Sequence, residues 1–400
     1  MTAMRLFRWA DEEGRPRLGV SGDGAAAVDL TAALGVRSIP ELWERHPEAG
    51  ALAEAVAAWW AELDHRPMPS ALLLPLDLDE LWAAGVTYER SREARNEETE
   101  VKESIYDWVY EAPRPELFFK APAGRIAGPG EAVGLRRDAT WHVPEPELTV
   151  ILGPDGRIFG YTAGNDMTAR DLEAKNPLYL PQAKIFHRSA AVGPTVALAG
   201  TVDPYALTVR LVVRRHGAVV FEGAAEVRRL KRSLDELVAY LAHEWPLAPW
   251  TGLMTGTGIV PPDWFALEDG DEIAVTVDSI GTLTNVARRI DADWAKVGTP
   301  PPRLLRVDPR DTVVVALGQL EPGMRLQVGG GGELVVRDPI PFGHKVALVA
   351  MQPGDPVIKY GEVIGVATRL IEPGQHAHVH NIDSNRGRGD LLARKEAHIG

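Results

Sequence analysis

The chain has 400 residues, of which 45% are hydrophobic and 25% charged, a composition typical of a globular enzyme with two or three domains. Its formal net charge of −13 argues against nucleic acid and anionic membranes as main partners. It has no cysteine, which excludes disulfides, thiolate metal sites and a cysteine nucleophile. The first residues contain no apolar core of signal-peptide length, and no run approaches a membrane span, so we expect a cytoplasmic protein.

The first part of the chain contains two different segments. Residues 1–78 mix short strands such as RLGV with helical stretches such as residues 41–63, and they predict a small α/β region. Residues 81–112 open with apolar residues and become a highly charged segment that is predicted to be helical. Because so polar a segment is unusual in a core, we expect residues 91–112 to form a mobile cover over a site.

A pair of glutamates marks the start of a buried strand. Glu145 and Glu147 stand in the sequence PEPELTVIL, residues 144–152. A residue that precedes proline favours extended backbone, and side chains two positions apart on an extended chain point to the same side. The two carboxylates therefore project together. They repel each other unless a cation lies between them or one of them takes up a proton.

A hairpin after this strand brings a third carboxylate. Two β-rich runs flank the turn GPDG, residues 153–156. If the strands pair directly across this turn, Glu147 lies opposite Thr162, and Asp166 follows at the same end as both glutamates. Three convergent carboxylates suit a hard cation with oxygen ligands, Mg²⁺ first and then Mn²⁺ or Ca²⁺. The alternative is a solvated strand end whose acidic side chains keep a sheet edge soluble.

A short helix and a lysine follow the hairpin. The spacing of Thr168 and Asp171 is similar to a capping box and predicts a helix that ends before Asn176. Lys184 then stands in an apolar context, where a lysine is unusual unless it meets a carboxylate or an anion. The alternative is a lysine with a buried stem and an ammonium group in water.

Strands and turns dominate residues 115–290, and a second domain follows. The sequence VGTPPPR, residues 297–303, is proline-dense and predicts a linker. Beyond it, short strands separated by glycine turns indicate a small all-β domain over residues 303–400. We interpret the four glycines at residues 329–332 as a hairpin tip rather than a phosphate-binding loop, because no Lys-Ser/Thr and helix follow them.

The combination EPELTVIL, GYTAGNDMTARD and QAKIF resembles the catalytic domain of the fumarylacetoacetate hydrolase family. The resemblance covers about residues 80–290 and includes GTGIVPPDWF and GTLTN in the expected order. Within the family, RPELFFKA and NPLYLPQAKIF look most like the 2-keto-3-deoxy-D-arabinonate dehydratase branch. The resemblance implies an α+β, β-rich fold with a β-roll catalytic domain over residues 79–297, assembled as a homodimer or a higher oligomer.

The same resemblance implies a set of site residues. It implies that Mg²⁺ is bound by Glu145, Glu147 and Asp166, and that Lys184 and Thr282 are catalytic residues that line the substrate site. Thr282 follows an alternating strand at a turn, where a hydroxyl can face a cleft.

One departure from the family pattern bears on the reaction. The hydrolases of the family carry a histidine on the covering segment, whereas this chain has Ser91 there and no histidine nearby. A dehydratase needs instead a base for the C3 proton and an acid for the departing C4 hydroxyl. We expect Lys184 to act at C3 or to stabilise the enolate, and Glu116 to protonate the C4 hydroxyl, although Glu116 can equally be a surface acid. We expect Arg170, Lys120 and Ser91 to bind the anionic substrate.

The C-terminal sequence resembles a second family. Residues 307–383 are similar to the small SAF-type (β-clip) domain of altronate and galactarate dehydratases, whose large metal-binding subunit is absent from the chain. His376, His378 and His380 alternate on an extended segment, so their rings can share one side. Such histidines either hold a transition metal or form a polar strand face. The His-Lys pair of GHKVAL adds a candidate anion contact.

The leading hypothesis is a magnesium-dependent hydro-lyase that acts on a 2-keto-3-deoxy sugar acid, such as 2-keto-3-deoxy-arabinonate, and yields 2,5-dioxopentanoate. The first alternative is hydrolysis or decarboxylation of a diketo or oxalo acid on the same metal site. The second alternative is a dehydratase component of the altronate/galactarate type, in which the C-terminal domain recruits a separate large subunit. The leading hypothesis and both alternatives predict a small-molecule substrate.

Overall fold

The structure is a computed structural model that describes residues 2–92, 105–290, 304–328 and 333–384. The chain divides into two compact units, Met1–Trp294 and Ala295–Gly400. The middle of the predicted cover, the predicted proline-rich linker and the run of four glycines lie outside the described residues. The domain boundaries at residue 78 and around the linker stay predictions.

The N-terminal α/β region opens the first unit. Its strands are β1 (Arg5–Ala10), β2 (Pro16–Ser21) and β3 (Ala26–Asp29), and its helices are α1 (Leu30–Leu34), α2 (Ile39–Arg45) and α3 (Ala49–Glu62). The helical stretch predicted over residues 41–63 is therefore two helices. Pro47 explains the break, because it disfavours helical backbone at His46. The Glu48 carboxylate then caps α3 by accepting from two backbone N–H groups of its first turn.

The rest of the first unit is mostly strands, as predicted. Further helices are α4 (Ile105–Glu111), α5 (Arg170–Lys175), α6 (Leu180–Lys184) and α7 (Leu234–Ala242). The strands, in chain order, are β4 (Arg66–Pro67), β5 (Glu80–Gly85), β6 (Glu116–Pro122), β7 (Ala132–Leu135), β8 (His142–Val143), β9 (Pro146–Leu152), β10 (Ile158–Asp166), β11 (Thr168–Ala169), β12 (Ala190–Leu198), β13 (Thr208–Arg215), β14 (Ala218–Glu226), β15 (Thr251–Met254), β16 (Glu272–Val277) and β17 (Gly281–Arg289).

Two large sheets form the framework of the first unit. One has ten strands in the order β4-β3-β2-β1-β12-β10-β9-β15-β5-β6, and the other has five in the order β14-β13-β16-β17-β7. The N-terminal strands extend the larger sheet, because β1 pairs antiparallel with β12. This β-rich arrangement with few helices confirms the predicted α+β fold class.

The central strand β9 of the larger sheet is buried on both faces. On one face, Leu148 belongs to a core shared with Leu211 of β13 and Val275 of β16. On the other face, Ile151 belongs to a core shared with Leu52 of α3. A strand that is covered on both faces is apolar along its length, which explains the run LTVIL. The ends of β9 and β10 are therefore held by packing on two sides.

The described part of the second unit is all β, as predicted. Its strands are β18 (Leu304–Leu305), β19 (Val313–Ala316), β20 (Arg325–Gln327), β21 (Glu333–Val335), β22 (Lys345–Ala347), β23 (Pro356–Lys359), β24 (Glu362–Ala367), β25 (His376–Ala377) and β26 (Ile382–Ser384). They pair in the orders β18-β19-β22-β25, β20-β21 and β23-β24-β26. Among the helices of the described residues, none has the length and apolar character needed to span a bilayer.

Candidate active site

The β9–β10 hairpin brings the three predicted metal ligands together. Glu145 directly precedes β9, Glu147 lies within it, and Asp166 is the last residue of β10. The Asp166 backbone N–H donates to the Glu145 carbonyl oxygen at 2.9 Å, which fixes the two strand ends side by side. One carboxylate oxygen of each residue lies within 4.8 Å of the others, and all three residues are buried. The two-residue repeat of extended backbone predicts this convergence.

The pairing within the hairpin differs from the predicted register. Glu147 lies opposite Gly164, whereas direct pairing across the turn placed it opposite Thr162. The turn is one residue longer than predicted, and an irregularity at the start of β10 adds a second residue. The shift of two positions brings Asp166 level with Glu145, so the triad is tighter than the predicted register allows.

The three carboxylates concentrate negative charge in a buried place. Glu147 accepts from the Gly256 backbone N–H at 2.6 Å. Burial raises the pKa of Glu147 well above its usual range, and the neighbouring charges of Asp166 and Glu145 raise it further. A divalent cation held by the three residues offsets this charge, and carboxylate oxygens are the ligands that Mg²⁺ prefers. The donor set therefore fits Mg²⁺.

Lys184, the last residue of α6, reaches the same carboxylates. Its ammonium group donates to Glu145 at 2.6 Å, to Asp166 at 3.0 Å and to the Thr168 hydroxyl at 2.7 Å. The alternative of a lysine with its ammonium in water is wrong, because the side chain is only 4% exposed. Thr168 therefore serves the site rather than capping the helix. The capping-box prediction is wrong, since α5 begins without a side-chain cap, although α5 ends before Asn176 as predicted.

Two further cations, Lys120 and Arg170, lie behind the carboxylates. The Lys120 Nζ lies 2.5 Å from Asp166 Oδ1, and the Arg170 Nη2 donates to Glu145 Oε1 at 2.8 Å. Both side chains are enclosed, and neither lines the cavity in front of the triad. Burial lowers the pKa of Lys120, and the nearby Asp166 opposes this effect. Their placement differs from the predicted role as substrate-binding groups, because they form ion pairs with carboxylates of the site and do not line the cavity themselves.

The cavity in front of the triad combines predicted and unpredicted residues. Besides the triad and Lys184, its polar lining includes Ser91, Glu116, Glu173 and Thr257. The structure thus brings the predicted Ser91 and Glu116 to the carboxylates. Among the described residues that line the cavity there is no histidine.

Thr282 is a third predicted site residue that does not line the cavity, and unlike Lys120 and Arg170 it has no contact with the triad among those that the structure shows. It lies on β17, it is exposed, and its hydroxyl is 2.8 Å from the hydroxyl of Thr276 on the neighbouring strand β16. The prediction relied on a turn after the alternating strand. The turn ends one residue earlier, and Thr282 pairs across the hairpin in the smaller sheet.

The threonine that does line the cavity is Thr257, which sequence reasoning missed. It follows Gly256, whose φ of +92° is a conformation that favours glycine. A Cβ at Gly256 would lie 1.9 Å from the Thr87 hydroxyl oxygen, so a side chain does not fit. The available sequence signal was the TGTG motif after β15, because glycines that alternate with threonines directly after a strand indicate a tight turn of functional importance.

Comparisons with known proteins agree with this geometry. The family model of the fumarylacetoacetate (FAA) hydrolase C-terminal domain matches residues 82–288, and that of the altronate/galactarate dehydratase SAF domain matches residues 302–385. The chain is similar to the probable 2-keto-3-deoxyxylonate dehydratase of Haloferax volcanii, with 40% identity over 68% of this chain and 95% of that protein. It is also similar to the 2-dehydro-3-deoxy-D-arabinonate dehydratase of Saccharolobus solfataricus, with 43% identity over 54% of this chain and 74% of that protein.

Solved structures give the same result. A 2-keto-3-deoxy-D-arabinonate dehydratase complexed with magnesium and 2,5-dioxopentanoate aligns with a TM-score of 0.59 and 31% identity, over 72% of this chain and 99% of that one. These matches confirm the resemblance of both parts of the sequence. The chain therefore belongs to the fumarylacetoacetate hydrolase family and carries a C-terminal domain of the altronate/galactarate dehydratase SAF type.

Proposed function

We propose that this protein is a magnesium-dependent dehydratase that converts a 2-keto-3-deoxy sugar acid, such as 2-keto-3-deoxy-arabinonate, to a dioxo acid such as 2,5-dioxopentanoate. The observation that carries this proposal is a buried triad of carboxylates, two of which accept hydrogen bonds from Lys184, in a cavity that is also lined by Glu116 and, among the described residues, by no histidine. The dehydratase names of both curated relatives support the substrate class.

The reaction removes a proton from C3 and the hydroxyl from C4 as water. The C3=C4 double bond that results then moves by proton transfer from C5 to C3. The product enol becomes the C5 aldehyde. The active site must therefore stabilise negative charge on the C2 oxygen and handle protons at C3 and C4. Bound Mg²⁺ supplies the Lewis acid that polarises the C2 carbonyl and acidifies C3.

The contacts of Lys184 favour one of its two predicted roles. The ammonium group has three acceptors around it, so each of its N–H bonds has a partner. In this arrangement the nitrogen has no lone pair for a proton. Lys184 therefore stabilises the enolate by its charge and holds the carboxylates, and it does not remove the C3 proton.

Two carboxylates of the cavity lining, those of Glu116 and Glu173, lie outside the triad. Glu173 lies with its Oε2 3.5 Å from the guanidinium of Arg170, which supplies the opposite charge that an ionised base requires. We assign the C3 proton to Glu173. Glu116, the first residue of β6, also lines the cavity and donates the proton with which the C4 hydroxyl departs as water.

The buried cations behind the triad act on the metal ligands. Arg170 and Lys120 each hold one carboxylate by an ion pair, which fixes the carboxylate orientation and offsets part of the charge that the triad accumulates. Substituting Lys120 changes metal affinity first and substrate affinity only as a consequence, whereas substituting Arg170 also removes the positive charge beside Glu173. Assembly as a homo-oligomer, and recruitment of a separate dehydratase large subunit by the C-terminal domain, stay predictions.

The experiment that tests the function is a substrate screen with purified protein. 2-Keto-3-deoxy pentonates and hexonates are incubated with Mg²⁺ or with a chelator, and formation of a new aldehyde is followed. We expect turnover of at least one pentonate that the chelator abolishes and that added Mg²⁺ restores. Turnover of a diketo or oxalo acid with none of the sugar acids would favour the hydrolase or decarboxylase alternative instead.

A further inference from the structure

Four histidines of the second unit lie together in the described structure, although only three were expected from their alternation. Strands β22 and β25 pair antiparallel with Val346 opposite His376, a register that brings His344 and His378 together across the strands. The rings of His344 and His378 stack with centroids 4.8 Å apart. His380 completes the group, 5.3 Å from His376 between ring centroids.

His376 is the centre of this histidine cluster. Its ring centroid lies 5.1 Å from that of His344 and 5.2 Å from that of His378, besides its contact with His380. Its Nε2 is 2.9 Å from the Nδ1 of His344, so the two rings share a hydrogen bond. In this pair, therefore, a ring nitrogen of His376 faces a ring nitrogen of His344.

The backbone around the cluster is fixed by polar contacts. Asp338 accepts from the backbone N–H of His376 at 2.8 Å. The Asn381 side chain accepts from the backbone N–H of His378 at 2.8 Å and donates to the His376 carbonyl at 2.9 Å, and it is 4% exposed. These contacts close the turn that carries three of the histidines. The rings are thus presented from a backbone that is already ordered.

The environment keeps the central ring uncharged. Burial and, to a smaller extent, the neighbouring histidines lower the pKa of His376 to about 4, although Asp338 opposes them. Burial, two neighbouring histidines and Lys345 also lower the pKa of His378. A neutral imidazole keeps the lone pair that binds a metal. The two histidines at the centre of the turn therefore keep lone pairs that a metal ion can bind.

We propose that His344, His376, His378 and His380 bind one divalent transition-metal ion of the Zn²⁺ class, with His376 as the central ligand. Imidazole nitrogen suits Zn²⁺, Ni²⁺ and Cu²⁺, whereas Mg²⁺ prefers oxygen, so this site differs in chemistry from the carboxylate triad. Two nitrogens that bind one tetrahedral Zn²⁺ lie about 3.4 Å apart. For the two nitrogens of the 2.9 Å pair to bind the ion, their hydrogen bond opens and both rings turn toward the metal.

A cavity next to the histidine cluster gives a metal ion access to it. A cavity of about 580 Å³ is lined by His376 and His380 together with Arg369 and Gln375. An ion that enters from this cavity meets the two histidines directly. Water or an anionic group next to Arg369 can complete its coordination.

The test is zinc X-ray absorption spectroscopy on the full-length protein at neutral pH in excess Mg²⁺, with one and two equivalents of Zn²⁺. The carboxylate triad offers only oxygen, so scattering by imidazole rings shows zinc bound to histidine, and the variant shows whether the histidine cluster is the site. His376→Gln is compared with His243→Gln, which changes an exposed histidine at the C-cap of α7.

We expect imidazole scattering in the wild-type and His243→Gln proteins and its loss in His376→Gln, with one equivalent less of bound Zn²⁺. A wild-type spectrum that contains only oxygen scattering overturns the proposal, whatever the folding of the variants. Unchanged imidazole scattering in His376→Gln also overturns it, because it places the zinc on other histidines. Neither result depends on the dehydratase activity.

Discussion

The substitution Glu147→Gln separates the charge of the triad from its shape. Glutamine has almost the same volume and keeps an oxygen that accepts from the Gly256 backbone N–H. The change therefore leaves the packing and the hydrogen bond and removes one of three buried charges. It should act in opposite directions on the metal-free and the metal-bound protein.

The direction of the effect follows from the raised pKa of Glu147. A carboxyl group whose pKa is higher in the folded than in the unfolded state favours folding only below its unfolded pKa, and this contribution is lost as the pH rises through the folded value. At pH 7 the group therefore destabilises the metal-free fold, and the glutamine variant should be more stable by about 1–3 kcal/mol. In Mg²⁺ at about 1,000 times its Kd, the wild type gains about 4.1 kcal/mol that the variant lacks, which exceeds this difference.

The assay is chemical denaturation at pH 7, with chelator and with Mg²⁺, followed by tryptophan fluorescence. All 11 tryptophans lie within Met1–Trp294, so the signal reports on the first unit alone. We expect the variant to be the more stable protein in chelator and the less stable one in Mg²⁺. Equal stabilisation of both proteins by Mg²⁺ would remove Glu147 from the metal site, and a less stable variant in chelator would show that its charge is already compensated.

Three further predictions concern individual side chains. Lys184→Met should lower kcat by about 10²–10³-fold in steady-state assays with saturating Mg²⁺, because the enolate loses the stabilising charge of the ammonium group. A variant with the wild-type kcat would contradict this role of Lys184. Glu116→Gln should keep exchange of the C3 protons with D₂O, seen by NMR, while losing dehydration, whereas Glu173→Gln should lose both; the reverse pattern would exchange their roles. Thr257→Ala should lower kcat/KM about tenfold through loss of one cavity hydroxyl, whereas the matched change Thr282→Ala should leave kcat/KM within about twofold, and equal losses would refute the placement of the cavity.

The sequence predicted the ligand triad because its geometry is local. Alternation along extended backbone puts Glu145 and Glu147 on one side, and a single hairpin adds Asp166 at the same end. The exact register could not be predicted, because it depends on an irregularity in the pairing that no residue type marks. The triad was predicted correctly in spite of this error, because the observed register places Asp166 even closer to Glu145 than the predicted register does.

The parts that the sequence did not predict depend on contacts between distant segments. Lys120 and Arg170 were expected in the cavity because they are cations, but each has an ion pair with a buried carboxylate, which only the packed structure reveals. Thr257 owes its position to a backbone conformation at Gly256. His344 joins the other histidines through strand pairing across more than thirty residues of chain, as the 32-residue separation of His344 and His376 shows. Local periodicity carries no information about any of these.

The most direct test of the proposed function is the carbon skeleton of the product. Uniformly ¹³C-labelled 2-keto-3-deoxy-arabinonate is incubated with the Mg²⁺-loaded protein, and the products are identified by NMR with Glu147→Gln as the control. Dehydration predicts one five-carbon product with a C2 ketone and a C5 aldehyde, formed in the same amount as substrate is lost and absent with the variant. Labelled carbon dioxide, two shorter fragments, or unchanged substrate would contradict a dehydratase at this site.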